Sequence, residues 1–300
     1  MFKIKAWISA ARLRTLPLSI SGILTASAAA IGVNSFSMLI FVLALATTLG
    51  FQILSNFAND YGDGVKGTDN ADRVGPSRAL QSGRLTAKEL KMGMIVTASF
   101  TLLMASMLIF VAFGTENFIT SLVFFNLGIL SIIAAITYTV GKKAYGYRAL
   151  GDIFVFIFFG ALGVIGGYYL YTLEIKDFIL LPAITIGLLS TAVLNLNNMR
   201  DRMTDATMNK ITMAVLLGGK AVKLYHSLLI ILAFLSALSY FMLTTEDSMG
   251  FLPLLAFIPL FMNLITVLRN DAPSLLDPEL KKVALSTFLF SVLFFASNFF

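Results

Sequence analysis

Residues Leu54–Thr86 read LSNFANDYGDGVKGTDNADRVGPSRALQSGRLT, setting carboxylates, amides and arginines directly behind an apolar run from Phe36 to Asn59. If the helix of that run continues to about residue 63, Asn56, Asn59, Asp60 and Asp63 fall at three- and four-residue spacings and share one face. Asp60, Asp63, Asp69 and Asp72 place four carboxylates within thirteen residues. Two unit charges about 4 Å apart repel by roughly 4 kcal/mol even at an effective dielectric near 20, so converging acids need wide separation or cations. Hard oxygen donors point to Mg²⁺, which keeps several waters and shares its shell with substrate phosphates. Lys66, Arg73, Arg78 and Arg84 interleave with the acids, an arrangement suited to a diphosphate held between metal ions and guanidinium forks.

Outward from this stretch the chain is overwhelmingly apolar. Its 300 residues are 58% hydrophobic and 13% charged, with a mean hydropathy of +0.87, which excludes a soluble domain and implies several passes through a lipid bilayer. Charge-free runs of spanning length cover Leu16–Val33, Phe36–Asn59, Met92–Phe113, Phe118–Val140, Ile153–Leu173, Phe178–Met199, Leu224–Thr245, Gly250–Leu268 and Val283–Phe300. These predict nine transmembrane helices. Of the 22 Lys and Arg, only Lys176 falls on one side of the resulting topology, which predicts a cytoplasmic N-terminus and long polar loops in the cytoplasm. The first run is a full span, so no cleavable signal peptide is expected. Trp7 implies a short interfacial helix over residues 1–15, and Tyr168, Tyr169 and Tyr171 an aromatic belt at the outer edge. The absence of cysteine removes disulfides and thiolate chemistry. The lone His226 has no second histidine with which to share a metal and is expected at the interface.

A second polar cluster, LNLNNMRDRMTDATMNKITMAVLLG from Leu194 to Gly218, echoes the first. Asn195 and Asn198 repeat the spacing of Asn56 and Asn59 139 residues later, and Asp201 and Asp205 follow as Asp60 and Asp63 do. Two such walls, each at the same end of a span, imply a pseudo-repeated bundle with one site between them. Single loop acids are ordinary solvated composition, but asparagines at span ends are not, because an unpaired amide there costs a few kcal/mol.

Together these motifs carry a resemblance. Asn59-Asp60-x-x-Asp63, Lys66-Gly67-x-Asp69, Asp72-Arg73-x-Gly75-Pro76-x-Arg78 and Asn197-Asn198-x-Arg200-Asp201-x-x-x-Asp205 resemble the UbiA superfamily of intramembrane prenyltransferases. Gly75-Pro76-x-Arg78 and Gly146-Tyr147-Arg148-x-Leu150-Gly151-Asp152 are similar to its dihydroxynaphthoate branch, which serves menaquinone synthesis, with Ala10-Ala11-Arg12-x-x-Thr15-Leu16-Pro17 and Tyr138-Thr139 as supporting pieces. Gly141-Lys142-Lys143 and Asn209-Lys210-Ile211-Thr212 depart from that branch, the lysine pair being shared with hydroxybenzoate-type relatives.

The resemblance implies an all-α membrane protein, with nine helices in a single bundle around a central cavity, and one polytopic prenyltransferase domain over residues 1–300. Segments 59–91 and 200–223 would be cytoplasmic active-site loops in the cytoplasmic (inner) cell membrane. It implies Mg²⁺ held by Asp60, Asp63, Asp201 and Asp205 with Asn59 and Asn197. Lys66, Arg73, Arg78, Lys142, Arg148 and Lys210 would contact the prenyl diphosphate, and Arg12 the acceptor carboxylate. The implied reaction is polyprenyl transfer from polyprenyl diphosphate to 1,4-dihydroxy-2-naphthoate with decarboxylation, 4-hydroxybenzoate being the second acceptor reading. No nucleic acid and no obligatory protein partner are expected.

Two rivals are disfavoured. A transporter would set ionisable groups deep in its spans, whereas here they gather at one mouth. CDP-alcohol phosphatidyltransferases also begin D-x-x-D-G, but Gly67 and Thr68 stand where their Ala-Arg pair would fall.

Overall fold

The computed structural model describes residues 2–68, 75–245 and 248–298. Among them nine helical segments are long and apolar enough to cross a membrane, and no strand forms beyond one isolated bridge. A short helix α1 (Phe2–Ala11) leads through a left-handed Arg12 into α2 (Leu16–Gly32), whose first turn carries Pro17, where a missing N–H costs nothing. Then come α3 (Met38–Lys66), α4 (Ala87–Phe113), α5 (Phe118–Thr137), α6 (Gly151–Thr172), α7 (Leu180–Thr207), α8 (Met213–Thr244), α9 (Phe257–Arg269) and α10 (Leu276–Ser297). Helix α2 packs on α3, α6 and α10, and α7 packs on α6, α8 and α10, so one bundle closes around an interior.

The close approaches are made by glycine, as expected where lipid supplies no hydrophobic drive between helices. A Cβ on Gly160 would lie 2.6 Å from the Ala183 carbonyl oxygen and 3.0 Å from Gly187 Cα, so only glycine lets α6 and α7 touch backbone to backbone there. Gly22 meets α6 in the same way, 3.0 Å from the Phe159 carbonyl oxygen. Between these contacts α6 widens to a π-helix over Phe156–Gly166, a form found mostly at functional sites.

The helices outrun the charge-free runs at the polar end. Helix α3 continues to Lys66 and α7 to Thr207, so both acidic motifs are helical rather than looped, because their apolar neighbours keep packing after the charges begin. Gly67 ends α3 at φ 74°, a left-handed cap that favours glycine. A capping box starts α4: Thr86 Oγ1 accepts from Glu89 N, and the Glu89 carboxylate accepts from Thr86 N. The last helix begins at Leu276 instead of Val283, bringing Asp277 and Glu279 onto it.

Two aromatic or polar expectations change. Tyr168 is fully buried in the core and Tyr171 exchanges a 2.8 Å hydrogen bond with Ser27, so these rings fill the bundle rather than form a belt. His226 is fully buried, not interfacial: it pairs with Asn263 at 2.8 Å, Asn263 donates to Glu279, and Lys282 donates to Glu279. This chain of polar contacts ties α8, α9 and α10, and it explains how Glu279 tolerates burial.

Candidate active site

A cavity of about 390 Å³ opens at the polar ends of α3 and α7. Its mouth is lined by Arg12, Arg78, Asn59, Asp63, Asn197 and Asp201, with Arg14, Asn198 and Lys210 beside them. Along α3 the lining runs from Asp63 back to Ala44, roughly 28 Å at about 1.5 Å per residue and comparable to a hydrocarbon core of about 30 Å. The deep part is apolar, with Ile23, Leu108, Ile109, Leu162 and Leu170 among its walls. Phe158 and Phe159 of the π-helical turn face it as well.

The carboxylates differ in what they face. Asp60 accepts from the backbone N–H of Ala79 at 3.0 Å and of Leu80 at 3.3 Å; it is buried and does not line the cavity. Its expected place among the metal ligands is therefore not where its oxygens point: it pins the loop that carries Arg78. Asp63 lines the cavity and accepts a 2.7 Å bond from the Tyr147 hydroxyl, which also meets Thr68 Oγ1 at 2.7 Å. Asp201 lines the opposite wall and is gripped by Arg200, Nε at 2.9 Å and Nη2 at 2.7 Å. Asp205 pairs with Lys210 at 3.3 Å behind the cavity wall. So the four predicted metal-binding carboxylates do not converge, and among the described residues no three acidic or histidine side chains do.

Two acids do meet the cavity from opposite helices, with the amides of Asn59 and Asn197 beside them. Two carboxylates and neutral oxygen donors around an open space suit a hard cation that completes its shell with water and phosphate, so these residues fit Mg²⁺ as a shared ligand and not as a closed cage.

The predicted cations also separate. Arg12, Arg78 and Lys210 reach the cavity. Lys66 is exposed and sits 4.0 Å from the centre of the Tyr147 ring, a cation–π contact beside Asp63. Lys142 and Arg148 are exposed and off the cavity wall, because the loop after α5 turns them outward. Arg73, with Asp69 and Asp72, lies outside the described residues. Burial opposes the charge on Lys210, but Asp63, Asp205 and Asp201 outweigh it and raise its pKa above the ordinary lysine value. Burial, with the charge of Asp63 second, pushes the Tyr147 phenol up, so it remains a donor.

Several side chains that build the site have roles no motif announced. Tyr147 and Thr139 sit in stretches recognisable by sequence, yet only the fold shows their work. Thr139 Oγ1 donates to the Ala58 carbonyl at 2.9 Å and lies 3.3 Å from Asn59 Oδ1, and a Cβ on Gly62 would stand 2.6 Å from Thr139 Oγ1. The loop of Tyr147 is paired to that of Lys210 by Ala149 N donating to Ile211 O at 2.7 Å and Ile211 N to Tyr147 O at 3.3 Å. Arg200 reaches Asn197 Oδ1 at 2.8 Å and Asp277 at 2.5 Å. Gln52 lines the cavity mid-helix and donates to Asn56 Oδ1 at 3.3 Å; its only signal was an amide one turn before Asn56 on the same helical face.

Comparison with known proteins agrees with this architecture. The chain is 46% identical over 294 residues to the 1,4-dihydroxy-2-naphthoate octaprenyltransferase of Haemophilus influenzae, covering 97% of this chain and 95% of that one. It is 40% identical over 290 residues to the protein of the same name from Escherichia coli, covering 97% and 94%. Its fold matches a UbiA homologue from Aeropyrum pernix K1 with a TM-score of 0.68 at 14% identity, over 95% of each chain. It also matches one from Archaeoglobus fulgidus bound to DMAPP and Mg²⁺, with a TM-score of 0.59 at 18% identity over 98% of each. With residues 18–293 matching the UbiA prenyltransferase family, a span that takes in both acidic walls and the bundle from the first turn of α2 to near the end of α10, the chain belongs to that family.

Proposed function

We propose that this chain transfers a polyprenyl group from polyprenyl diphosphate to 1,4-dihydroxy-2-naphthoate, with loss of carbon dioxide, giving the demethylmenaquinol. The observation that carries the reading is the pair Asp63 and Asp201 facing one cavity whose far walls are apolar. A polar mouth and an apolar shaft suit a substrate with a diphosphate head and a hydrocarbon tail. The names of the two relatives quoted above supply the acceptor, and the diphosphate-bound archaeal homologue supplies the precedent for Mg²⁺.

In this reading Asp63 and Asp201, with Asn59 and Asn197, hold Mg²⁺, which when bound neutralises the charge that builds on the departing diphosphate. Arg78 and Lys210 bind the diphosphate oxygens. The allylic carbon–oxygen bond breaks, diphosphate leaves with the bonding pair, and the ring carbon of the acceptor bonds the allylic carbon as its carboxylate departs as carbon dioxide. Apolar walls exclude water while the allylic centre is electron-poor. Arg12 orients the acceptor carboxylate. The mouth faces the cytoplasm of a bacterial inner membrane, following the lysine and arginine distribution.

Purified protein supplied with polyprenyl diphosphate, Mg²⁺ and both dihydroxynaphthoate and 4-hydroxybenzoate tests this by product mass. A decarboxylated prenyl naphthoquinol, lost on chelation, is expected. Prenylated hydroxybenzoate alone would keep the site and replace the acceptor; no product with either would end the reading.

A further inference from the structure

We propose that Asp277 is a positioning residue that shares the Arg200 guanidinium with Asp201 and thereby sets the divalent-cation affinity of the site. The inference rests on the reading that Asp201 is a metal ligand. Its ground is the ion-pair chain at the mouth. The Arg200 side chain is only 1% exposed and grips Asp201 through two nitrogens, while its third, Nη1, is on Asp277. Asp277 is 37% exposed and shared with Arg14, whose Nη1 lies 3.6 Å away. Asp277 stands in the first turn of α10, and Leu280, one turn on, lines the cavity. The last helix thus reaches the site through this corner.

A buried guanidinium and a divalent cation compete for one carboxylate, because both are bound by the same lone pairs. As long as Asp277 carries a charge, Arg200 divides its positive charge between two acids, and Asp201 keeps capacity for a metal. With Asp277 neutral, the whole guanidinium falls on Asp201 and Asn197, and the metal must displace a fully committed ion pair. Groups that touch a ligand from outside the coordination shell commonly change metal affinity by roughly ten- to a hundredfold. An acid in the first turn of a helix is also favoured by the helix dipole, so a merely structural Asp277 is the competing account.

Mn²⁺ binding to the full-length protein in detergent, followed by electron paramagnetic resonance with inorganic diphosphate present, separates the two. Asp277→Asn is expected to bind Mn²⁺ at least about tenfold more weakly, and Asp277→Glu to stay within about threefold of wild type. The double variant Arg200→Gln with Asp277→Asn, which removes one charge of each sign, is expected to recover most of the loss. Asp277→Asn binding like wild type while Asp201→Asn loses the site would overturn the inference and leave the metal reading intact. Binding unaffected by Asp201→Asn, or no binding by wild type, would overturn that reading and the inference with it. Should Asp277→Asn fail to fold, the charge-balanced double variant decides: affinity as poor as that of Asp201→Asn contradicts the proposal.

Discussion

Tyr147 concentrates much of the site's local chemistry in one side chain. Its hydroxyl joins Asp63 to Thr68 and its ring lies under Lys66, so it aims one of the cavity carboxylates. Tyr147→Phe should cost about 1–3 kcal/mol, since it leaves a buried carboxylate one donor short. Thermal melting in detergent checks that figure, and an unchanged melting temperature would refute it. Arg78 is carried to the cavity by a loop that Asp60 pins. Arg78→Ala should raise the Michaelis constant for prenyl diphosphate roughly tenfold or more, on the about 1.5–3 kcal/mol of a charged hydrogen bond, with little change for the acceptor. Steady-state kinetics with each substrate varied decides it. At this scale helical spacing singled out Asn59, Asp63 and Asp201, while Asn197 was picked out only by the resemblance of its motif. It could not separate Asp60 from Asp63, which are three residues apart and about 60° apart around a helix; the difference is made by amides nineteen and twenty residues downstream. Asp277 was illegible for the same reason, its partner Arg200 being 77 residues away.

At the scale of elements, glycines decide how closely the helices approach. Gly160→Val would drive its Cβ into the Ala183 carbonyl and the Gly187 backbone, neither of which can rotate aside. Overpacking typically costs 1–3 kcal/mol, and about 3 kcal/mol or more is expected here because backbone is on the receiving side. Detergent melting and the fraction of aggregated protein report it. The element count was readable from hydropathy, and all nine spans were placed. Their ends were not, because a charge-free window stops at the first ionisable side chain, while α3 and α7 carry theirs for one or two more turns on walls that are buried or face the cavity. The π-helical stretch of α6 left no periodic mark, since Phe156–Gly166 carries no polar residue to reveal a period.

For the whole molecule, the absence of cysteine offers a clean test of orientation. Lys142 and Lys176 are both exposed and lie on opposite sides of the proposed topology. Lys176→Cys should react with an impermeant maleimide in intact cells, and Lys142→Cys only in inverted vesicles; the reverse pattern would turn the molecule over. The bundle brings together two acidic walls 138 residues apart in sequence, Asp63 and Asp201, and no feature of either alone requires the other. Catalysis therefore depends most directly on their joint action. Turnover of polyprenyl diphosphate and dihydroxynaphthoate should be measured for Asp63→Ala and for Asp201→Ala, each first shown to fold by gel filtration and melting. Loss of nearly all product in both variants is predicted; most of the wild-type rate surviving in either would contradict a site built from the two walls.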